Sequence, residues 1–113
     1  MEKQQLNAVQ LRGVVDDIHD RWMPDGGLAV VASLIVHRPH LGQQRGTICD
    51  EQPMPLRAEG KFAEALIKFK GKAVDIQGEL RRRYYSREGE QRWGQVEIWV
   101  NHIDLLDNNH LGE

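Results

Sequence analysis

The sequence predicts an all-β domain in which five strands form a barrel and one short helix lies among them. Apolar and polar residues alternate near both ends of the chain, as they do in half-buried strands. One segment between them has the three- or four-residue apolar spacing of a helix. A length of 113 residues suits one domain with its own core. We therefore expect a single domain over residues 1–113, with its core at about 6–106 and a short tail at 107–113.

The first two strands are predicted in the first third of the chain. The first has small or apolar residues at alternate positions, Val9, Leu11, Gly13 and Val15. Turn-forming residues fill 22–27, and the apolar run at 28–36 is typical of a central strand covered on both faces. The polar stretch from Pro39 to Pro53 predicts a long mobile loop, and loops of this kind often carry function.

The second half of the chain predicts the remaining elements. A short third strand at about 54–58 precedes a helix that ends at Gly71. The helix has apolar residues three or four positions apart, at Phe62, Leu66 and Phe69. Alternating segments at 74–81 and 95–101 predict strands four and five, joined as a hairpin. A helix between the third and fourth of five strands is the order of the oligonucleotide- and oligosaccharide-binding (OB) fold, so we predict a five-stranded OB-fold barrel.

Charge is distributed unevenly along the chain. The whole sequence has a net charge of −2, but residues 61–100 contain nine Lys and Arg against six Asp and Glu. A nearly neutral whole argues against a histone-like protein that binds through bulk electrostatics. The local excess of basic residues is compatible with nucleic-acid binding at one basic face.

The predicted hairpin concentrates arginine and aromatic side chains. They are Arg81, Arg82, Arg83, Arg87 and Arg92 with Tyr84, Tyr85, Trp93 and Trp99. Phosphates attract cations and unpaired bases stack on flat rings, so this combination predicts a site for a single-stranded nucleic acid. Arg45, in the loop after strand two, offers a further polar contact.

A turn centred on Gly89 predicts the register of the hairpin. If the apolar residues of both strands face the barrel interior, the facing pairs are Tyr85–Trp93, Arg83–Gln95, Arg81–Glu97 and Glu79–Trp99. Arg81, Arg83 and Tyr85 then share the outer face, and both hairpin tryptophans point outward. An exposed tyrosine beside an exposed tryptophan is expected to meet a ligand or a partner chain.

Structural roles compete with ligand binding at several of these residues. Arginine on an exposed hairpin often blocks pairing between sheets, and Glu97 is in position to neutralise Arg81. Trp99 suits base stacking and burial in a subunit interface equally well. For Trp22, in the first turn, covering one end of the barrel is favoured over base stacking.

Four motifs resemble bacterial single-stranded DNA-binding protein (SSB). They are PDGG at 24–27, SL at 33–34, GKFAE at 60–64 and VDIQGELR at 74–81. The resemblance runs from about Leu6 to Leu106, in the order and spacing of that family. A smaller relative, primosomal replication protein N, is similar at His37-Arg38 and at Met54-Pro55 followed by a glycine. The resemblance implies an OB fold, single-stranded DNA as ligand, and a homodimer or homotetramer.

The sequence departs from the SSB pattern at part of the stacking surface. The family has a tryptophan where His40 aligns, and aromatic residues on strand three where this chain has Met54, Leu56 and Glu59. His40 and Arg38 are therefore candidate contacts by alignment. SSB also ends in a flexible tail whose acidic tip recruits repair enzymes, which residues 107–113 do not resemble. This difference favours a primosomal or mobile-element accessory role.

The sequence gives no indication of an enzyme, a metal site or a cofactor. Cys49 has no evident catalytic partner, and His37-x-x-His40 with Cys49 lacks a fourth zinc ligand. The acidic residues at 16–20 suggest a solvated turn. A single cysteine, no apolar signal segment and no apolar stretch long enough to cross a bilayer predict a cytoplasmic protein without membrane attachment.

Three function classes follow from these observations. The first is single-stranded DNA binding in DNA replication, recombination or repair, with replication-restart or helicase proteins as partners. The second is a protein–protein adaptor in a primosome or conjugation complex, with weak nucleic-acid binding. The third is an oligosaccharide-binding OB domain, which the arginine content disfavours because arginine suits phosphate better than sugar.

Overall fold

The structure is a computed structural model that describes residues 4–39 and 50–106. Its elements are β1 (Val9–Trp22), β2 (Leu28–His37), β3 (Glu51–Glu59), α1 (Lys61–Lys68), β4 (Ala73–Arg87) and β5 (Glu90–Leu105). The strands close into a barrel in the order β1-β2-β3-β5-β4, with β3 and β5 parallel and the other neighbours antiparallel. The predicted fold class, five strands with one helix between the third and fourth, is confirmed.

The hydrophobic core fills the inside of the barrel. Its fully buried side chains include Val15, Val30, Leu34, Leu56, Leu66, Val74, Ile76 and Ile98. In β2 the residues that alternate with the core, such as Val31 and Ile35, are only half-buried. The prediction that β2 is covered on both faces is therefore wrong, since only its inner face is fully enclosed.

The first strand is longer than its apolar pattern indicates. Residues 9–14 pair with β4, and the strand continues to Trp22 while paired with β2. The register shifts between Asp16 and His19, and Asp17 has a φ of 55°. The predicted acidic turn is therefore a bulge inside β1, within the segment that pairs with β2.

The third strand also exceeds its prediction, because it begins at Glu51, inside the predicted loop. Pro53 and Pro55 lie two residues apart, so their nitrogens point to the same edge of β3. Both prolines face β2, at Ile35 and Ser33, whereas within the described ranges β5 pairs with β3 only at Leu56 and Arg57. The edge of β3 toward β5 is therefore open at the prolines, and a nitrogen that points to this edge needs no N–H. The predicted loop from Pro39 to Pro53 thus ends before Glu51. The prediction that this loop is mobile is not tested, because residues 40–49 lie outside the described residues.

The helix agrees with the prediction. It starts after Gly60 and ends before Phe69 and Gly71, whose φ of 79° is readily adopted by glycine. The Gly71 N–H donates to the carbonyl of Val15 at 2.7 Å, which fixes the helix exit to β1. No helix among the described residues is long and apolar enough to cross a membrane.

Two ion pairs lie on the outer wall of the barrel, and we call them the wall pairs. Arg12 Nε donates to Asp75 at 2.7 Å, and Arg57 Nε donates to Glu97 at 2.9 Å. Asp75 and Glu97 are both buried. The Arg12 hydrogen bond lowers the pKa of Asp75 below its usual value; burial opposes this shift and the Gln10 side chain reinforces it.

Candidate nucleic-acid interface

The hairpin of β4 and β5 extends beyond the barrel. The β1 partners of β4 end at Gly78, and among the described residues β3 pairs with β5 only at Ile98 and Trp99. Residues 79–96 form what we call the hairpin arm, and all are exposed except Gly94, which is half-buried. At its base, the Asn7 side chain accepts from the Leu80 N–H and donates to the Leu80 carbonyl, both at 2.8 Å. Both faces of the arm are therefore accessible from solvent.

A two-residue turn closes the arm. Arg87 pairs with Glu90, and between them Glu88 and Gly89 have φ values of 53° and 81°. Positive φ at both central positions is the signature of a type I′ turn, whose twist matches that of the strands. At the barrel end, the pairs Arg81–Glu97 and Glu79–Trp99 form as predicted.

The register near the turn and the register at the barrel end differ by one residue, and a bulge in β5 accommodates this difference. Between the pairs Arg82–Val96 and Tyr84–Trp93, β4 has one residue and β5 has two. The predicted pairs Tyr85–Trp93 and Arg83–Gln95 are therefore wrong, because the prediction allowed a three-residue turn. Tyr84 faces Trp93, and Tyr85 faces Arg92.

The bulge places Trp93 on the same face of the arm as Tyr84, and we call this the aromatic face. The ring centroids of Tyr84 and Trp93 are 4.7 Å apart at 54°. Arg82 Cζ lies 5.7 Å from the Trp93 centroid, and Arg82 Nε donates to the Gly94 carbonyl at 2.7 Å. The two rings remain 55% and 59% exposed. An aromatic surface is thus preformed next to a fixed cation.

Two aliphatic side chains extend the aromatic face toward the barrel. Leu80 was predicted to face the interior, but it is 44% exposed, because the arm has already left the barrel at this position. Val96, opposite Arg82, is 47% exposed. The aromatic face is therefore apolar over much of its length, and one cation lies against its rings.

The opposite side of the arm is the basic face, with Arg81, Arg83 and Tyr85 at alternate positions of β4. Arg81 Cζ lies 4.4 Å from the centroid of Trp99, which is half-buried. The Trp99 Nε1 atom is buried and has no hydrogen-bond partner among residues 4–39 and 50–106. Arg57 Cζ lies 5.8 Å from the same centroid, so two arginines lie near the Trp99 ring and Arg81 is the nearer. Trp93 lies on the aromatic face, contrary to the prediction that both hairpin tryptophans share the outer face.

Glu97 does not neutralise Arg81, although the two residues face each other. Both Glu97 carboxylate oxygens accept hydrogen bonds from Arg57, at 2.9 and 3.3 Å. Sequence reasoning missed Arg57. The available signal was an arginine between Leu56 and Ala58, at an outward position of a strand whose neighbour carries an acidic residue.

The remaining candidate residues are dispersed. Arg87 and Arg92 lie near the turn, and Arg92 forms an exposed ion pair with Glu90. Arg38 follows β2, where its backbone N–H donates to the Asp50 carbonyl at 2.8 Å. His40 and Arg45 lie outside the described residues. In residues 4–39 and 50–106, no three His, Cys, Asp or Glu side chains are grouped as a metal site requires.

Trp22, the third tryptophan, lies at the end of β1. It is 70% exposed, so it covers little of the barrel end that it was expected to close. No arginine lies over its ring in the part of the chain that the structure describes. Trp22 therefore differs from Trp93 and Trp99, each of which has an arginine at its face.

Comparison with solved structures identifies the architecture. The solved complex of a Plasmodium falciparum SSB with ssDNA is similar to this chain, with a TM-score of 0.65. The barrel has the OB fold. The alignment covers 95% of this chain and 100% of the Plasmodium chain at 21% sequence identity. No protein-family model matches the sequence, and no curated protein matches it.

Proposed function

We propose that this chain binds single-stranded DNA through its hairpin arm. The observation that carries the proposal is the exposed pair of Tyr84 and Trp93, with Arg82 at the Trp93 ring, on an arm that holds five arginines. Unpaired bases stack on such rings, and arginines beside them attract the phosphates. The OB fold, which is shared with the Plasmodium SSB, supports this assignment.

The two faces of the arm are suited to different parts of a bound strand, namely its bases and its phosphates. The aromatic face offers ring surface, and its cation is held against Trp93. The basic face offers Arg81 and Arg83, neither of which forms an ion pair within the described residues. A strand that crosses the arm would place bases on the first face and phosphates toward the second. The proposed function is binding without catalysis.

Titration with oligo(dT) tests the proposal. Stacking of bases on Trp93 is expected to quench tryptophan fluorescence in proportion to the bound fraction. Affinity is expected to fall with salt, with a log–log slope of about −0.7 per neutralised phosphate, or about −3.5 if all five arginines engage. Unchanged fluorescence together with no binding by anisotropy at low salt would reject single-stranded DNA as the ligand.

We further propose that the chain is an SSB-like accessory protein of DNA replication, recombination or repair, and that it acts as a homodimer or homotetramer. The resemblance to SSB and to primosomal replication protein N supports this, and closed symmetric assembly is the commonest outcome for homo-oligomers. Light scattering with and without oligo(dT) measures the assembly. A monomer at micromolar concentration in both states would reject the oligomer.

One observation favours a second function, that of a protein–protein adaptor. Leu80 and Val96 expose aliphatic surface beside Tyr84 and Trp93, and aliphatic side chains suit a protein partner better than a base. A replication-restart or helicase protein is the expected partner in this case. The adaptor function would be favoured if Leu80→Ser weakened binding to such a protein and left oligo(dT) affinity unchanged.

A further inference from the structure

The wall pair of Arg57 and Glu97 lies directly beside the proposed interface. In the barrel wall, Arg57 of β3 faces Trp99 of β5, and Arg81 of β4 faces Glu97 of β5. Arg57 Nε and Nη2 donate to the two different carboxylate oxygens of Glu97. The Arg57 and Glu97 side chains are only 14% and 6% exposed. This pairing is bidentate, so it occupies both oxygens of the carboxylate.

Arg81 is the other candidate partner of Glu97. Side chains that face each other across two strands have Cβ atoms about 4.5–5.5 Å apart, and opposite charges at such positions attract. Arg81 nevertheless forms no ion pair among the described residues. Its guanidinium lies on the Trp99 ring at 4.4 Å. A guanidinium attracted to an aromatic ring keeps its positive charge and its N–H donors, which a phosphate can still approach.

We propose that Arg57 is a positioning residue of the nucleic-acid interface: by occupying Glu97, it keeps Arg81 on Trp99 and available to a DNA phosphate. Arg57 itself is too enclosed to contact the strand. The inference rests on the proposed function, because it assigns Arg81 a phosphate contact. It also explains why an acidic residue is present beside a surface that binds an anion.

The variant Arg57→Met tests the inference, because it removes the competitor for Glu97 and leaves Arg81 intact. Glu97 is then expected to pair with Arg81. Loss of one phosphate contact flattens the log–log salt slope for oligo(dT) by about 0.7, which corresponds to about fivefold weaker binding at 0.1 M salt. Anisotropy of labelled oligo(dT) over a salt series measures both. The double variant Arg57→Met/Glu97→Gln removes the acid as well, and is expected to restore the slope of the parent protein.

Arg12→Met is the matched control. It removes the same charge and leaves a buried carboxylate, Asp75, on the barrel wall, where none of the hairpin arginines faces it. Its salt slope is expected to equal that of the parent. Circular dichroism checks the fold of each variant. If Arg57→Met does not fold, Arg57→Lys replaces it: lysine keeps the charge but lacks the guanidinium fork, so one Glu97 oxygen becomes available and a partial flattening is expected.

The outcomes separate the two proposals. A parent protein that does not bind oligo(dT) overturns the proposed function and this inference together. A parent that binds, with folded Arg57 variants whose slope equals that of the parent, overturns the inference alone. The inference is also overturned if the slope flattens equally in Arg12→Met, or if the double variant fails to restore it.

Discussion

The arginines of the barrel wall and those of the hairpin arm have different surroundings. On the wall, Arg12 and Arg57 each donate to a buried carboxylate. On the arm, Arg81 and Arg82 lie on indole rings, and Arg82 donates to a backbone carbonyl. A count of charged residues does not distinguish these two groups of arginines. Among the described residues, Arg12 and Arg57 have carboxylate partners, whereas Arg81 and Arg82 have none.

The two kinds of arginine also contribute differently to stability. When a buried carboxylate loses its arginine, its charge is left uncompensated. This destabilises the folded state, even where the intact pair contributes little to stability. The exposed pair of Arg92 and Glu90, by contrast, is screened by solvent and is expected to contribute less than about 1 kcal/mol. Substitution of Arg12 should therefore act mainly on folding and substitutions on the arm mainly on binding, whereas substitution of Arg57 is expected to affect both.

The largest expected difference between the two regions lies in the apolar residues. Leu34→Ala, inside the barrel, is expected to lower the free energy of unfolding by about 2–5 kcal/mol, because it leaves a cavity in a closed core. Leu80→Ala removes the same atoms from an exposed position on the arm, so we expect less than about 1 kcal/mol. Urea unfolding measures both. Similar losses for the two variants would contradict the separation of barrel and arm.

The wall pair of Arg12 and Asp75 predicts a stability difference that depends on pH. Asp75→Asn is expected to lower the free energy of unfolding at pH 7 by about 1.5–3 kcal/mol, the range for hydrogen bonds to a charged group. The folded-state pKa of Asp75 is lowered, so its stabilisation is complete above the usual carboxyl value of 3.8 and is lost as pH falls through the lower, folded value. Unfolding of parent and variant from pH 7 to pH 2 should show the two converging. A difference that is constant over this range would contradict the ion pair.

On the aromatic face, removal of one ring is expected to weaken DNA binding and leave stability unchanged. Tyr84→Ala or Trp93→Ala should each cost about 1–3 kcal/mol per stacked base. The salt slope should stay nearly constant, because no phosphate contact is lost. Trp22→Ala is the matched control, since that ring is exposed at the end of β1 and should have no effect on oligo(dT) affinity. Equal losses for Trp22 and Trp93 would show that the arm has no special role.

The smallest expected effect separates two arginines within the arm. Arg83→Ala should flatten the salt slope by about 0.7, equivalent to about fivefold in affinity at 0.1 M salt. Arg92→Ala should have a smaller effect, because Glu90 already offsets part of its charge. Anisotropy titrations over a salt series measure both. If Arg92→Ala flattens the slope more than Arg83→Ala does, the ion pair does not determine which arginines are available.

Strand alternation and helical spacing were enough to predict the barrel, the position of α1 and the pairs Arg81–Glu97 and Glu79–Trp99. These features follow from local periodicity and from the need to bury one face of each strand. The start of β3 was missed because Pro53 was assigned to the end of the preceding loop, and only the pairing with β2 shows that the strand begins at Glu51. The pairing of Arg57 with Glu97 was missed because it joins residues 40 positions apart, on parallel strands.

The register of the arm was missed for a different reason. A sequence with Glu88, Gly89 and Glu90 at the turn is compatible with two or three loop residues, and the choice shifts the pairing by one position. The barrel fixes one register and the turn fixes another, so the position of the bulge depends on both ends of the hairpin. The local sequence pattern alone therefore does not specify where the bulge lies.

The two-residue turn therefore decides which tyrosine faces Trp93. One additional residue after Gly89 would let the arm keep the register of the barrel, and the bulge would no longer be required. Tyr85 would then face Trp93, and the indole would move to the side that carries Arg81 and Arg83. The indole would then lose its contact with Arg82, which would stay on the aromatic face. Insertion of a single residue at the tip is thus enough to alter the chemistry that the arm presents to a ligand, with every core residue in place.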